Sequence, residues 1–426
     1  MAEPLVTVLL PSLNVAPYIE ECLTSVEQQT LKNIEILCID AGSTDGTRDV
    51  LAAHAACDGR IRILDSDKRS VGYQMNLGLQ AARGRYIGIL ETDDYVAPEM
   101  YATLCEAAER TQADIVRMDF EVFWGRGEER QFLPKPVAAA AQYGRLLRPR
   151  DEQAIFYNDM SIWAGMYRRD FLQTYQIREN ETPGAAYQDT GFWFQTYACA
   201  DRLLYLAGSE HGYRYRLDNP ASSVHSRQQA FVICDEFDFL RQALERHGCF
   251  DELRDTYHAI QCNRYLWNYL RLDKIDQRRF AQRFAQDMRA AGDFPLPESE
   301  QSLLRELLAS PETFHAHRQQ EREALDHLLA GTRPIVLFGC GSDGLRLLGH
   351  LRAQGQLGRI ACLTDNNQAL HDAELFGKPI LSPAEARARH PQAAYLIASS
   401  NHGGEIEAQL REMGVVRENI WMGHVC

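Results

Sequence analysis

Glu91, Asp93 and Asp94 stand together at the end of a short apolar run, Tyr86-Ile-Gly-Ile-Leu90. Glu91 and Asp93 are separated by one residue, so both carboxylates can reach one point. Hard oxygen donors of this kind suit Mg²⁺ or Mn²⁺, which bind through one or two carboxylates together with substrate phosphates. The same stretch also reads as an acidic helix opening, with Asp93 or Asp94 as N-cap, Pro98 near the start and Met100-Tyr-Ala-Thr-Leu-Cys-Glu-Ala-Ala beyond it. Other residues of the right types lie apart from it. Asp40 ends the run Ile34-Glu-Ile-Leu-Cys-Ile39, Asp189 follows Gln188 ahead of an aromatic stretch, and Arg214 and Arg216 alternate with Tyr213 and Tyr215.

The elements that must position these groups alternate. Val6 to Leu10 reads as a strand that Pro11-Ser-Leu-Asn14 breaks, and Tyr18 to Gln29 has helical periodicity. Ile34–Ile39 is a second strand, Arg48 to His54 a helix, Ile61–Leu64 a third strand, Gly72 to Ala82 a helix, and the run before Glu91 a fourth strand. Tyr86 to Leu90 is apolar on both faces, as a strand inside a covered sheet is. Strand–helix alternation implies a mostly parallel sheet, whose ligands bind at the carboxyl ends of its strands. Asp114 to Phe123 has strand character, and Gly125 to Ala141 is expected to be a loop.

From Gln228 to Leu329 the pattern is helical throughout. At Pro334 it changes again: Ile335-Val-Leu-Phe338 precedes a glycine turn, Gly339-Cys-Gly-Ser-Asp-Gly344, and Asp365 ends the next strand. A glycine turn between strand and helix, with an acidic residue about 20 positions on, is a dinucleotide-binding fingerprint.

The formal net charge of −14 argues against a general nucleic-acid binder. Eleven cysteines with no CxxC pair fit reduced thiols in the cytoplasm better than a disulfide frame. The first residues carry no basic leader pattern, so no signal peptide is expected. No apolar run approaches the roughly 18 residues of a membrane span, so the expected location is the cytoplasm, with peripheral attachment to a membrane left open.

In order along the chain, Pro11-Ser-Leu-Asn14, Ile39-Asp-Ala-Gly-Ser-Thr-Asp-Gly-Thr47, Gly72-Tyr-Gln-Met-Asn-Leu-Gly78, Ile89-Leu-Glu-Thr-Asp-Asp94, Gln188-Asp189 and Tyr213-Arg-Tyr-Arg-Leu-Asp-Asn-Pro-Ala-Ser-Ser223 form a set. The set resembles the family-2 glycosyltransferases of bacteria, over roughly Leu5 to Ser226. The resemblance implies an α/β fold with a GT-A-type nucleotide-sugar-binding sheet, and an inverting hexosyltransferase that moves a sugar from a nucleotide-diphosphate donor, UDP-linked by expectation, to a glycan or lipid-linked acceptor in surface polysaccharide assembly. It implies that Pro11 and Asn14 line the base and ribose and that Asp40 bonds the base, with Ser43 and Asp45 shaping the turn and capping the next helix. Glu91 and Asp93 stand at the family's Asp-X-Asp position, bridged to the donor diphosphate by Mn²⁺ or Mg²⁺. This chain departs from the common form there, with Glu91 in place of the first aspartate. Asp94 is expected to cap the following helix. Asp189 matches the general base, with Gln188 in place of the family's glutamate; a helix N-cap is its alternative, compatible role. Arg214 and Arg216 are donor-side candidates that could pair with the diphosphate or an acidic acceptor, with a solvated strand face as the alternative, and His225 is a candidate third metal ligand. Trp163, Trp193, Tyr187 and Phe192 are divided between a sugar platform and the core.

The expected organisation is a GT-A domain at 1-226 (nucleotide-binding half 1-116, acceptor half 117-226), a helical connector or interaction region at 227-330, whose helices can pair chains into a homo-oligomer, and a small Rossmann-like α/β domain at 331-426. A regulatory, ligand-binding or assembly role is expected for the last. Two other classes remain: a non-catalytic nucleotide-sugar-binding scaffold, suggested by Glu91 and Gln188, and an NAD(P)-linked oxidoreductase working through the C-terminal domain.

Overall fold

The computed structural model describes residues 3–125, 127–220, 230–399 and 402–423. The chain divides into two compact units, Met1–Ile260 and Gln261–Cys426.

The first unit contains β1 (Val6–Ser12), α1 (Ile19–Glu27), β2 (Ile34–Asp40), α2 (Thr47–Cys57), β3 (Ile61–Asp65), α3 (Val71–Ala81), β4 (Tyr86–Ile89), β5 (Tyr95–Val96) and α4 (Met100–Thr111). It continues with β6 (Ile115–Met118), β7 (Phe120–Trp124), β8 (Gln131–Lys135), β9 (Leu146–Leu147), β10 (Gly165–Arg168), α5 (Arg169–Thr174), α6 (Gln188–Cys199), β11 (Leu203–Leu206), β12 (Tyr213–Arg216) and α7 (Val232–Arg246). The division between the units falls within α8 (Phe250–Arg271).

Eight strands form the main sheet in the order β3-β2-β1-β4-β10-β6-β11-β9. The first four are parallel, as the strand–helix alternation requires, and β10 runs antiparallel to both β4 and β6. Val8, Leu9, Ile36, Leu37, Ile87 and Ile89 are fully or almost fully buried, because helices cover both faces. A second sheet, β5-β12-β7-β8, stands beside it. β7 leaves the main sheet at Asp119, directly after β6, so one stretch of chain feeds both sheets.

Three local expectations are corrected. β1 does not break at Pro11: it pairs with β2 through Ser12↔Asp40, while its pairing with β4 ends at Leu9↔Ile89. Pro11, which has no N–H, thus lies where β4 no longer flanks the strand. Residues 125–141 are not all loop, because β8 pairs antiparallel with β7 through Phe123↔Phe132. Helix α4 is not capped by Asp93 or Asp94: β5 intervenes, and the cap position is Glu99, whose side chain makes no cap bond.

The second unit holds α9 (Lys274–Ala291), α10 (Glu298–Ala309) and α11 (Pro311–Ala330), which pack through Phe280, Phe284 and Phe314 onto Tyr265 and Tyr269. Its sheet is built from β13 (Ile335–Phe338), β14 (Ile360–Thr364), β15 (Glu374–Leu375), β16 (Lys378–Leu381), β17 (Ala394–Ile397) and β18 (Ile420–Met422), with α12 (Ser342–Ala353), α13 (Pro383–Arg389) and α14 (Gly403–Glu412) between them. The order is β15-β16-β14-β13-β17-β18, parallel except at β15. No helix among the described residues is long and apolar enough to cross a membrane.

Candidate active site

The acid loop begins where β4 ends. The Leu90 N–H donates to Leu9 O at 2.9 Å and the Thr92 hydroxyl to Pro11 O at 3.0 Å, which moors the loop to β1. Ligand atoms of Glu91, Asp93 and Asp94 lie within 4.8 Å of one another. β12 supports the loop from behind. The Tyr213 hydroxyl accepts from the Glu91 N–H at 3.0 Å and donates to Asp94 Oδ2 at 2.8 Å, and the Arg216 N–H donates to Asp94 Oδ1 at 2.7 Å. Both Asp94 oxygens are therefore committed to β12, which explains why this 1 %-exposed carboxyl is buried rather than capping a helix. The Arg216 guanidinium donates to Asp93 O at 2.8 Å and pairs with Glu21, while the Asn219 amide donates to Asp93 Oδ2 at 2.7 Å. The Glu91 carboxylate stands outside this network.

Loss of solvation, with Asp93, Asp189 and Glu179 adding negative charge, pushes the Glu91 pKa up to about 8. Burial, then the charges of Asp93 and Glu91, raises Asp94 well above the usual carboxylate range. A converging, oxygen-only set with excess negative charge is what a hard divalent cation neutralises, so these residues fit Mn²⁺ or Mg²⁺. Asp94, with both oxygens bonded, is a support; Glu91 and Asp93 are the groups left to face an ion.

Pro11, Asn14 and Asp40 come together at the ends of β1 and β2. Asp40 is 4 % exposed and accepts from the Ser43 hydroxyl at 2.6 Å, whose oxygen accepts from the Asn14 N–H at 2.9 Å. Asn14 adopts φ +55° and its side-chain oxygen accepts from the Thr44 N–H at 2.8 Å. Asp45 accepts from the N–H groups of Ala16 and Thr47, both at 3.0 Å, just ahead of α2, whose cap position Gly46 has no side chain. The two loops are thereby laced into one wall.

Asp189 is exposed at the second position of α6, and its carboxylate accepts from the Thr190 N–H at 2.9 Å. It is not the N-cap, which is Tyr187 at φ +69° with no side-chain cap bond. The first turn is held from outside instead. The Gln188 amide donates to Thr182 Oγ1 at 2.8 Å, and Asn76 on α3 clamps residue 179 through both its backbone groups, at 3.0 and 2.9 Å. Gly72 makes that clamp possible: a Cβ there would stand 2.0 Å from Asn180 O. The Asp189 charge acts on Glu91, Glu179, Glu236 and Tyr215, so the exposed carboxylate and the acid loop share one neighbourhood.

Tyr213 and Tyr215 share one face of β12, both stacked on Trp163, with ring centroids at 4.2 and 5.1 Å. Arg214 donates to Ser209 O and Glu210 O, both at 2.7 Å, and pairs with Glu121, whereas Arg216 reaches the acid loop. Phe192 and Trp193 are core residues at 0 % and 2 % exposure. His225 lies outside the described residues.

In the second unit, Asp365 follows β14 as the spacing predicts. One of its oxygens accepts from the Cys340 N–H at 2.6 Å and the other from the Asn367 N–H at 2.8 Å, so the acid ties its own turn to the glycine turn after β13. Gly344 packs so closely that a Cβ would stand 1.9 Å from Gly339 O, while nothing lies within 4 Å of a Cβ on Gly341.

Sequence reasoning missed Asn219, the bracing role of Tyr213, and the buried acids Glu179 and Glu236. Asn219 and Tyr213 lie in a quoted motif, but Glu179 and Glu236 sit among ordinary surface-type acids, with no local signal that they are buried.

Comparison with known proteins bears on the fold and the family. Residues 7–175 match the family model described as glycosyl transferase family 2. The chain is 32 % identical over 225 residues to the uncharacterized glycosyltransferase EpsJ of Bacillus subtilis (strain 168), covering 51 % of this chain and 62 % of EpsJ. It is 35 % identical over 96 residues to the chondroitin synthase of Escherichia coli, covering 22 % of this chain and 14 % of the synthase. Each match spans less than two thirds of the relative's length. Among solved structures, residues 1–349 of S. aureus TarS in complex with UDP-GlcNAc align with TM-score 0.57 at 17 % identity, covering 75 % of this chain and 92 % of that one. At that identity the likeness is one of fold, and the fold is GT-A.

Proposed function

We propose that this chain, whose residues 7–175 belong to glycosyl transferase family 2, is a metal-dependent inverting glycosyltransferase. It moves a sugar from a nucleoside-diphosphate donor, a UDP-sugar, to a hydroxyl of a glycan or lipid-linked acceptor in bacterial surface-polysaccharide assembly. The observation that carries this reading is Asp189, exposed at the start of α6 and electrostatically coupled to Glu91 in the acid loop. The chondroitin synthase among the relatives supports the acceptor class, and the UDP-GlcNAc of the TarS complex supports the donor class.

Asp189 accepts the proton of the acceptor hydroxyl as its oxygen bonds to the sugar C1. The bond from C1 to the phosphate oxygen breaks on the opposite side, and the nucleoside diphosphate leaves with the electron pair. In-line displacement inverts C1 and needs no covalent enzyme intermediate. Glu91 and Asp93 would hold a divalent cation, Mn²⁺ or Mg²⁺ by expectation, which would supply positive charge against the departing diphosphate. Pro11, Asn14 and Asp40 hold base and ribose. Arg216 and Asn219 orient Asp93, and Arg214 braces the base of β12.

The five parallel strands of the second unit's sheet, β16-β14-β13-β17-β18, have the order 3-2-1-4-5 when numbered along the chain with the antiparallel edge strand β15 left out; this is the opening part of the doubly wound dinucleotide-binding order and supports a Rossmann-like reading. Asp365, with both oxygens taken by backbone, favours a ligand-binding or assembly role over redox chemistry. The deciding experiment measures UDP release from UDP-GlcNAc, with and without Mn²⁺, in wild type, Asp93→Ala and Asp189→Asn. Loss in both variants is expected; full turnover by Asp189→Asn overturns the mechanism.

A further inference from the structure

The reaction as written leaves two buried acids without a task. Glu236 on α7 is 0 % exposed and Glu179 is 2 % exposed. Neither oxygen of Glu236 has a hydrogen-bond partner, nor has Oε2 of Glu179. A buried carboxylate with no cation or donor is strongly disfavoured, so such a group keeps its proton.

Glu236 fills a notch in α6. An ideal Cβ on Gly191 would stand 2.0 Å from Glu236 Oε1. Gly191 lies two residues beyond Asp189, in the same opening turn of the helix. That turn has no side-chain cap of its own, so what packs against it decides where Asp189 points. The groups facing Glu236 are Asp189 and the Gly191 backbone on α6, Asn180 and Glu179 on the segment before it, and Asp235 on α7. None is a cation; Asn180 and the Gly191 N–H lie close enough to oppose the effect of burial without reaching full hydrogen-bond geometry with the carboxyl. Burial pushes the Glu236 pKa up to about 8.

We propose that Glu236, seated with its proton in the Gly191 notch, is the positioning residue of Asp189 and makes α7 part of the catalytic unit. The inference rests on Asp189 as the proton acceptor. An ionised Glu236 would put a second negative charge beside Asp189 with no cation to offset it, so the seat favours the neutral form below about pH 8.

The test uses the full chain with Mn²⁺ and UDP-GlcNAc as probe, reading UDP release from pH 6 to 9. Glu236→Ala and Gly191→Ala are each expected to lower kcat by at least about tenfold, as a displaced base does, with KM changed by less than about twofold. Glu236→Gln, neutral and of the same shape, is expected to rescue the loss seen in Glu236→Ala and to remove a decline in rate near pH 8. The double variant should be less impaired than Gly191→Ala alone, because the new methyl enters vacated space. Wild-type kcat in both Glu236→Ala and Gly191→Ala overturns the inference, as does an alkaline limb shared by wild type and Glu236→Gln. Thermal unfolding gives a readout independent of turnover. The folded state binds the Glu236 proton more tightly than the unfolded chain, so wild type must lose stability relative to Glu236→Gln as pH rises from about 4.3 through about 8. Parallel curves overturn the buried proton. Full turnover by Asp189→Asn would instead remove the parent reading, whatever the Glu236 variants do.

Discussion

The Tyr213 hydroxyl donates to Asp94 Oδ2 at 2.8 Å and so ties the acid loop to β12. The same oxygen accepts the Glu91 N–H at 3.0 Å, which makes one phenol a strut for both ends of Glu91-Thr-Asp-Asp94. Tyr213→Phe keeps the ring stacked on Trp163 but leaves a buried acid oxygen without its donor. A loss of about 1–3 kcal/mol of stability is expected, read as a lower denaturation midpoint at unchanged m value.

Asn219 holds Asp93 Oδ2 at 2.7 Å, and its own side-chain oxygen accepts from the Tyr18 hydroxyl at 3.3 Å. Groups that orient a ligating carboxylate commonly contribute about 10–100-fold to metal affinity. Asn219→Ala is therefore expected to weaken Mn²⁺ binding, measured by calorimetry in the presence of UDP, by about tenfold. Asp93→Ala should abolish it.

Metal affinity should rise with pH. In the metal-free chain burial and the neighbouring acids push the Glu91 pKa up, so an incoming cation must compete with a proton there. Mn²⁺ affinity is thus expected to climb between pH 6 and 8 and then level off, with Glu91→Gln losing most of the slope. In the metal-free chain the sign is reversed. The raised pKa means that stability falls as pH rises through about 8, and Mn²⁺ should flatten that fall.

Gly72 and Asn76 hold the segment that delivers Asp189. Gly72→Ala puts a methyl 2.0 Å from Asn180 O, where only backbone movement relieves the clash. A cost of about 1–3 kcal/mol is expected from such overpacking. Asn76→Ala loses two bonds to the residue 179 backbone and should lower turnover of UDP-GlcNAc more than affinity for UDP, because the segment leads into α6 rather than to the nucleotide wall.

Local pattern carried much of this molecule. Apolar runs marked β1, β2 and β4, the last two ending in acids, because a strand covered on both faces must be apolar along its length and its carboxyl end meets solvent and ligand. The strand–glycine-turn–helix pattern after Pro334 marked β13 and α12 for the same reason. Where backbone partners came from far away, pattern failed: β8 was hidden in a stretch rich in proline and alanine, because its partner β7, rather than its own composition, makes it a strand.

Side-chain roles divide along the same line. Residue type singled out Glu91 and Asp93 as oxygen ligands for a hard cation, and the order of motifs that resembles family-2 glycosyltransferases singled out Asp40 and Asp189. Which acid faces a metal, which is a buried support and which keeps a proton depended on contacts between distant positions. Asp94 became a support through bonds to Tyr213 and Arg216, 119 and 122 residues away. Glu236 became a buried acid only because Gly191 leaves room for it across a helix interface. Desolvation and neighbouring charge set the state of a carboxyl, and both are properties of the packed chain rather than of its order.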